Sequence, residues 1–148
     1  MSMFLGIDTA ASGLTAERLR MDVISNNIAN ANTTRTERGG AYHRRFVVFE
    51  PRGTGKRTFS DFLEKSVDKL KAGEGVRAVM IREDNEQGPL VYDPGHPDAN
   101  ADGYVELPNV NIVNEMVDMI TASRAYEANV TTINAAKSMA TQALNISK

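Results

Sequence analysis

The chain contains no cysteine and no tryptophan in 148 residues. The first absence excludes a disulfide scaffold, a thiol nucleophile and any Cys-ligated metal centre. The second, with only four Tyr and five Phe, leaves little bulk for a broad aromatic core. No apolar window reaches membrane-spanning length. The opening stretch from Met1 to Asp8 has no basic region, and its apolar run breaks at Asp8, so it is a poor secretory signal. Charge of one sign is also lacking: the net charge is -2, which gives no global attraction to nucleic acid or anionic lipid. His43 and His96 stand alone, without a helical His pair, and a zinc site would have to be built from carboxylates that no spacing selects. There is no Gly-x-Ser-x-Gly elbow and no dinucleotide fingerprint. The expectation is a non-enzyme with no catalytic residue, no cofactor, no metal site and no direct small-molecule ligand.

Hydrophobic residues make up 41% and charged residues 24%, a soluble composition, and seven Met with many Ala suit helix packing. The length fits one domain, or a small domain with long helical extensions. Between Ile7 and Ala31 apolar residues repeat at heptad spacing: Ile7, Leu14, Met21 and Ile28 form one row, and Ala10, Ile24 and Ala31 most of a second. Ser25 to Thr34 then crowds in Asn, Ser and Thr, whose side chains compete for backbone hydrogen bonds, so this helix is expected to end near Asn30 to Asn32.

A longer helix is expected from Asn111 to about Ile146, with Asn109 or Asn111 as its cap after Pro108. Its stripe runs through Ile112, Met116, Met119, Ser123, Tyr126, Val130, Ile133, Lys137, Ala140 and Leu144, widened by Val113, Val117 and Ile120. A helix of ~36 residues is roughly 54 Å long, too long for a small core. Leaving such a row exposed forfeits about 1.5 to 3 kcal/mol per large side chain, so association is implied.

Between the helices, Tyr42 to Glu50, Val76 to Ile81, Leu90 to Tyr92 and Tyr104 to Leu107 are β-prone runs separated by Gly and Pro. They read as one small antiparallel β element. Phe59, Phe62, Leu63, Val67 and Leu70 have helical spacing, so 58–72 is either a short helix or a mobile insertion. The fold class expected is α+β, with the N- and C-terminal helices pairing as an antiparallel coiled coil around a small central antiparallel β element. The divisions are 1–34, 35–106 and 107–148.

Several motifs fall short of chemistry. Asp98 to Gly103 matches the first half of a calcium-binding loop, but the bidentate Glu is replaced by Asn109, and an Asx-rich turn is the main reading. Gly53 to Thr58 lacks the first Gly and the hydroxyl of a phosphate loop, because Glu50 and Arg57 stand there, and reads as a basic loop. Arg44 and Arg45 beside Tyr42 and Phe46 have a nucleic-acid reading, but a strand with outward basic residues is favoured. Met116, Met119 and Met139 read as packing residues rather than a peptide groove. The segment from Arg35 to Arg57 carries a net +5 and that from Arg82 to Glu106 a net -6, which reads as two solvated loops.

Ser12-Gly13-Leu14, Asn26-Asn27-Ile28-Ala29-Asn30 and Ser123-Arg124-Ala125-Tyr126-Glu127-Ala128-Asn129, lying in this order near opposite ends, resemble the flagellar rod and hook family. The matching strings, Ser12 to Thr34 and Leu107 to Met139, cover more than a third of the chain. The longer loop from Thr34 to Arg45, the run from Val91 to Val105 and the short middle are most similar to proximal rod members; Arg52 to Gly75 matches least.

The resemblance implies a structural subunit of the flagellar basal-body rod, needed for flagellum assembly and motility. It implies export through the flagellar type III apparatus without a cleaved signal peptide, to an extracytoplasmic place in the periplasm or cell-wall zone. Termini of such proteins are typically disordered before assembly. The partners implied are other copies of the chain, other rod proteins, components at the base of the basal body, and the export apparatus, with no nucleic acid. The expected assembly interface is Ile7, Leu14, Met21, Ile24, Ile28, Ile112, Met116, Met119, Ile120, Arg124, Tyr126, Glu127, Val130 and Ile133. Arg124 and Glu127 are i,i+3 neighbours, either a surface pair or a register contact between subunits. The alternative function is a soluble adaptor that seizes a partner helix.

Overall fold

The computed structural model describes residues 3–52 and 75–146. The segment 58–72 and the basic loop at 53–58 lie outside the described residues. Two helices, α1 (Met3–Ala29, 27 residues) and α2 (Ile112–Ile146, 35 residues), flank four strands: β1 (Arg45–Pro51), β2 (Val76–Glu83), β3 (Leu90–Tyr92) and β4 (Tyr104–Glu106). The class is α+β. The strands form two separate two-stranded sheets, β1 with β2 and β3 with β4, rather than one β element. Both are antiparallel: Leu90 pairs with Glu106 and Tyr92 with Tyr104 in the second sheet. In the first, the Arg52 amide bonds Gly75 O at 2.8 Å and the Asp84 amide bonds Arg44 O at 2.7 Å.

The helix ends follow local chemistry. α2 starts where Asn111 Oδ1 accepts the amides of Val113 (3.0 Å) and Asn114 (3.3 Å), so Asn111 is the cap. α1 stops at Ala29, where the Asn30 side chain donates to Asn26 O and Oδ1, both at 2.9 Å. Thr33 then bonds both the backbone and the side chain of Asn30. Side chains that offer the backbone other partners end the helix there.

The chain divides into two compact units. One gathers the described parts of Met1–Arg18, Phe49–Val79 and Arg124–Lys148. In it Ser12, 4% exposed, donates from Oγ to Thr9 O at 2.7 Å and accepts the Val76 amide at 3.0 Å, tying the start of β2 to α1. Gly75 makes this contact possible: its φ is +97°, and a Cβ there would lie 2.3 Å from Ser12 Oγ. Gly13 allows a close approach between helices, since a Cβ on it would sit 2.9 Å from the Asn129 carboxamide.

The other unit holds Leu19–Val48 and Met80–Ser123. Its apolar core is small: Val23, Ile24, Ala31, Ala41, Tyr42, Val105 and Ala122. The β3–β4 hairpin carries an edge-on pair, Tyr92 and Tyr104, with ring centroids 5.2 Å apart. Its loop is closed by Asn100, whose Oδ1 accepts the amides of Asp102 (3.0 Å) and Tyr104 (2.9 Å), an Asx-rich turn. Asp98 faces the other way, accepting Thr34 Oγ1 at 2.8 Å and lying 3.5 Å from Arg35.

Candidate functional site

The largest fully buried side chains among the described residues are polar: Glu115 and Asn27, each 0% exposed. Asn27 comes from the last turns of α1 and Glu115 from the first turn of α2. Asn27 Nδ2 donates to Glu115 Oε2 at 2.9 Å and to Arg45 O at 2.8 Å, while Oδ1 accepts Tyr42 OH at 3.0 Å and the Arg45 amide at 2.9 Å. A carboxamide has two donors and two acceptor sites, so its capacity is filled.

Glu115 is completed by Arg44, the residue just ahead of β1. Its Oε1 accepts Arg44 Nε at 2.5 Å, and the same guanidinium reaches Asp118 at 3.2 Å. The Arg44 amide donates to Asn109 Oδ1 at 2.7 Å, and Asn109 Nδ2 donates onward to Asp84 O and Glu86 O. The end of α1, the approach to β1, the segment after β2, the loop before α2 and α2 itself thus meet at one hydrogen-bonded hub. A buried charge is tolerated because each oxygen has a charged or amide donor. Tyr42, 6% exposed, feels this setting: burial pushes its phenol pKa up, the carboxylates of Glu115 and Glu83 add to the rise, and Arg45 opposes it.

The segregated charge of the middle segments closes on itself. Arg45 pairs with Glu83 at 2.7 Å and lies 5.6 Å from the Tyr42 ring centre; Arg38 approaches Glu83 at 3.8 Å and Arg35 approaches Asp98 at 3.5 Å. These are intramolecular pairs rather than two solvated loops. Each includes a side chain that is 41% exposed or more, and each contributes little stability individually. Arg44 and Arg45, the pair considered for nucleic acid, are both engaged by carboxylates of their own unit.

The anticipated interface residues distribute in a way that apolar periodicity did not show. On α2 the buried positions are Glu115, Ala122 and Ala136, with the half-buried Asn129 between the last two; they recur every seven residues and are all small or polar. The large apolar side chains at the start of α2 face outward: Ile112 42% exposed, Val113 69%, Met116 55%, Val117 55% and Ile120 53%. Met119, Tyr126, Val130 and Ile133 are half-buried, and Arg124 and Glu127 are exposed. On α1, Ile24 is buried while Ile7, Leu14, Met21 and Ile28 are half-buried. The start of α2 therefore turns small and polar side chains inward and leaves a charge-free apolar face outside.

The quoted motifs coincide with these contacts. Asn27 belongs to the Asn-rich end of α1, and Gly13 and Asn129, which meet, come from the N- and C-terminal motifs. A profile described as flagella basal body rod protein matches residues 7–35, and one described as flagellar basal body rod FlgEFG protein C-terminal matches residues 101–146. Full-length similarity is found to proteins named flagellar basal-body rod protein FlgC. That of Borreliella burgdorferi is 52% identical, covering 99% of this chain and 98% of the relative. That of Bacillus subtilis is 44% identical and covers 100% of both. That of Salmonella typhimurium is 35% identical over 99% of this chain and 98% of the relative.

The chain belongs to the FlgC family of flagellar basal-body rod proteins. It is a structural subunit of the flagellar basal-body rod. Sequence reasoning missed Glu115, Arg44 and Tyr42 as a constellation. A trace of it was visible in the heptad spacing of Glu115, Ala122, Asn129 and Ala136, a row with no large apolar member.

Proposed function

We propose that this subunit is exported without a cleaved leader through the flagellar type III apparatus and packs in the rod against copies of itself and other rod and base proteins. In this reading 1–34 and 107–148 pair as the rod's inner antiparallel coiled coil, with 35–106 outside. Its role is to bear load and connect neighbours, and it catalyses no reaction. The working place is the extracytoplasmic part of the basal body.

The observation that carries the reading is the outward apolar face of α2, Ile112, Val113, Met116, Val117 and Ile120. Covering one large aliphatic side chain contributes about 1.5 to 3 kcal/mol. The five are 42 to 69% exposed, so covering what remains recovers roughly half of that for each and offsets part of the conformational entropy that ordering a helical terminus costs. Ordering of the outer ends of the two helices and subunit association are then one process, which discourages polymerisation before export, while the unit around Glu115 folds in the single chain. Leu14, Met21, Ile24, Ile28, Met119, Tyr126, Val130 and Ile133 extend the contact set along both helices, with Arg124 and Glu127 fixing register between subunits.

The reading is tested by Leu14→Asp and Met119→Asp in cells that carry the variant as their sole copy. Each is expected to abolish swimming and incorporation into basal bodies while synthesis continues. Normal swimming of both variants would contradict it.

A further inference from the structure

A rod assembled from many identical helices faces a pairing problem. Apolar and Ala-rich seams are permissive: a helix slipped by one heptad, or supplied by a neighbouring copy, still buries similar side chains. Something must select one offset and one partner. We infer that the Asn27–Arg44–Glu115 hub is a register lock that commits the end of α1 to the start of α2 of its own chain. The inference rests on the proposed assembly role and specifies which residues make it selective.

The geometry supplies the selectivity. Asn27 uses two donors and two acceptors on three partners, Tyr42, Arg45 and Glu115, at 2.8 to 3.0 Å. Two of these partners lie 15 and 18 positions away on the same chain, so Asn27 is held by Tyr42 and Arg45 of its own chain independently of α2. That arrangement leaves one amide hydrogen of Asn27 and the Nε hydrogen of Arg44 converging on the Glu115 carboxylate, with Asp118, one turn on, taking the other end of the guanidinium. Moving α2 by one heptad brings Ala122 or Pro108 opposite Asn27, and neither offers a side-chain acceptor. Glu115 would then lose its Asn27 donor, and a buried group left without a partner is strongly penalised.

Asn109 fixes the same choice a second time. Its carboxamide bridges the Arg44 amide at 2.7 Å and the carbonyls of Asp84 and Glu86, just ahead of the Asn111 cap. The segment that positions the Arg44 backbone is thus the one that starts α2. A helix from another copy would have to bring Asn109 as well as Glu115 to the same β1.

Stability alone does not require this design. Replacing a buried ionic set by apolar residues of similar size is often neutral or stabilising, whereas removing one member is costly. The test separates the two roles with N27L/R44M/E115L, which clears the hub together. Because the chain has no cysteine, introduced thiols report unambiguously. Arg20 and Asp118, whose side-chain ends lie 3.9 Å apart and are both partly exposed, are replaced by Arg20→Cys and Asp118→Cys, in one chain or on two co-expressed chains, and treated with a short bismaleimide; Asp118→Cys gives up the second contact of Arg44 in both backgrounds alike and leaves the Asn27–Arg44–Glu115 set in place.

With the hub intact, the doubly substituted chain is expected to cross-link within itself, and the co-expressed single variants are expected to give no dimer. With N27L/R44M/E115L added, the chain is expected to accumulate normally, the mixture to give cross-linked dimers, and incorporation into basal bodies to fall by about tenfold or more. Equal dimer yields in both backgrounds would overturn the lock, as would normal swimming of the triple variant. Loss of the triple variant by degradation would also overturn it, by making the hub a stability element. Failure of the assembly role itself shows differently, as normal swimming of Leu14→Asp and Met119→Asp.

Discussion

Asn27 and Glu115 stand 88 positions apart in the chain and 2.9 Å apart in space, both without solvent exposure. A carboxamide on one terminal helix and a carboxylate on the other thus join the two ends of the sequence inside a single unit. Glu115→Ala would leave the buried Asn27 amide without its carboxylate acceptor and Arg44, 30% exposed, with Asp118 alone. It is expected to destabilise that unit by about 1 to 3 kcal/mol. Glu115→Gln, which keeps an acceptor and the shape, should cost less. Urea denaturation of the full chain, followed by helical circular dichroism, ranks the two variants.

Tyr42 gives the hub a signature in pH. Burial, with help from Glu115 and Glu83, raises its pKa in the folded chain above the ordinary tyrosine value of about 10. A group with a raised folded pKa contributes its stability below the unfolded pKa and loses it as pH climbs through the folded one. Stability is therefore expected to hold up to about pH 10 and to decline above it. Tyr42→Phe removes this alkaline loss but, lacking the hydrogen bond to Asn27, should cost about 1 kcal/mol at neutral pH. Tyrosinate absorbance of the two proteins, compared across an alkaline titration, isolates the Tyr42 step.

Two glycines should respond in opposite directions. Gly75→Ala places a methyl group against Ser12 at a positive φ and is expected to destabilise by about 1 to 3 kcal/mol. Gly6→Ala lies within α1 with nothing within 4 Å of the added carbon, and should stabilise by about 0.5 to 1 kcal/mol through helix propensity. Urea midpoints of the two variants check both signs.

The long elements were legible because their signals are long. α2 begins at Ile112, beside the cap anticipated at Asn109 or Asn111, and α1 ends at Ala29 where Asn-rich sequence withdraws the backbone from the helix. The division of the strands into two sheets was not legible. Between the two sheets the chain runs through Asp84 and Glu86, whose carbonyls accept the Asn109 carboxamide, a contact 23 to 25 positions distant that local sequence does not announce. Glu115 resembled any first-turn acid, and Asn27 any helix terminator. The burial of a polar side chain is decided by partners elsewhere in the chain, and Arg44 supplied one that periodicity does not encode. Nor does a stripe of large apolar residues disclose which side of it meets the chain's own core: on α2 that side belongs to Glu115 and Ala122, and Met116 and Ile120 were left facing out.

The outward apolar face provides the most direct measurement. Met116→Asp combined with Ile120→Asp changes two side chains that are 55% and 53% exposed, so the single chain should keep its stability within about 0.5 kcal/mol. The quantity to measure is the amount of this variant in basal bodies purified from cells that make it at the normal level. Its absence there, together with loss of swimming, is the predicted result. Its presence at the normal level in cells that swim would mean that no neighbour covers this face.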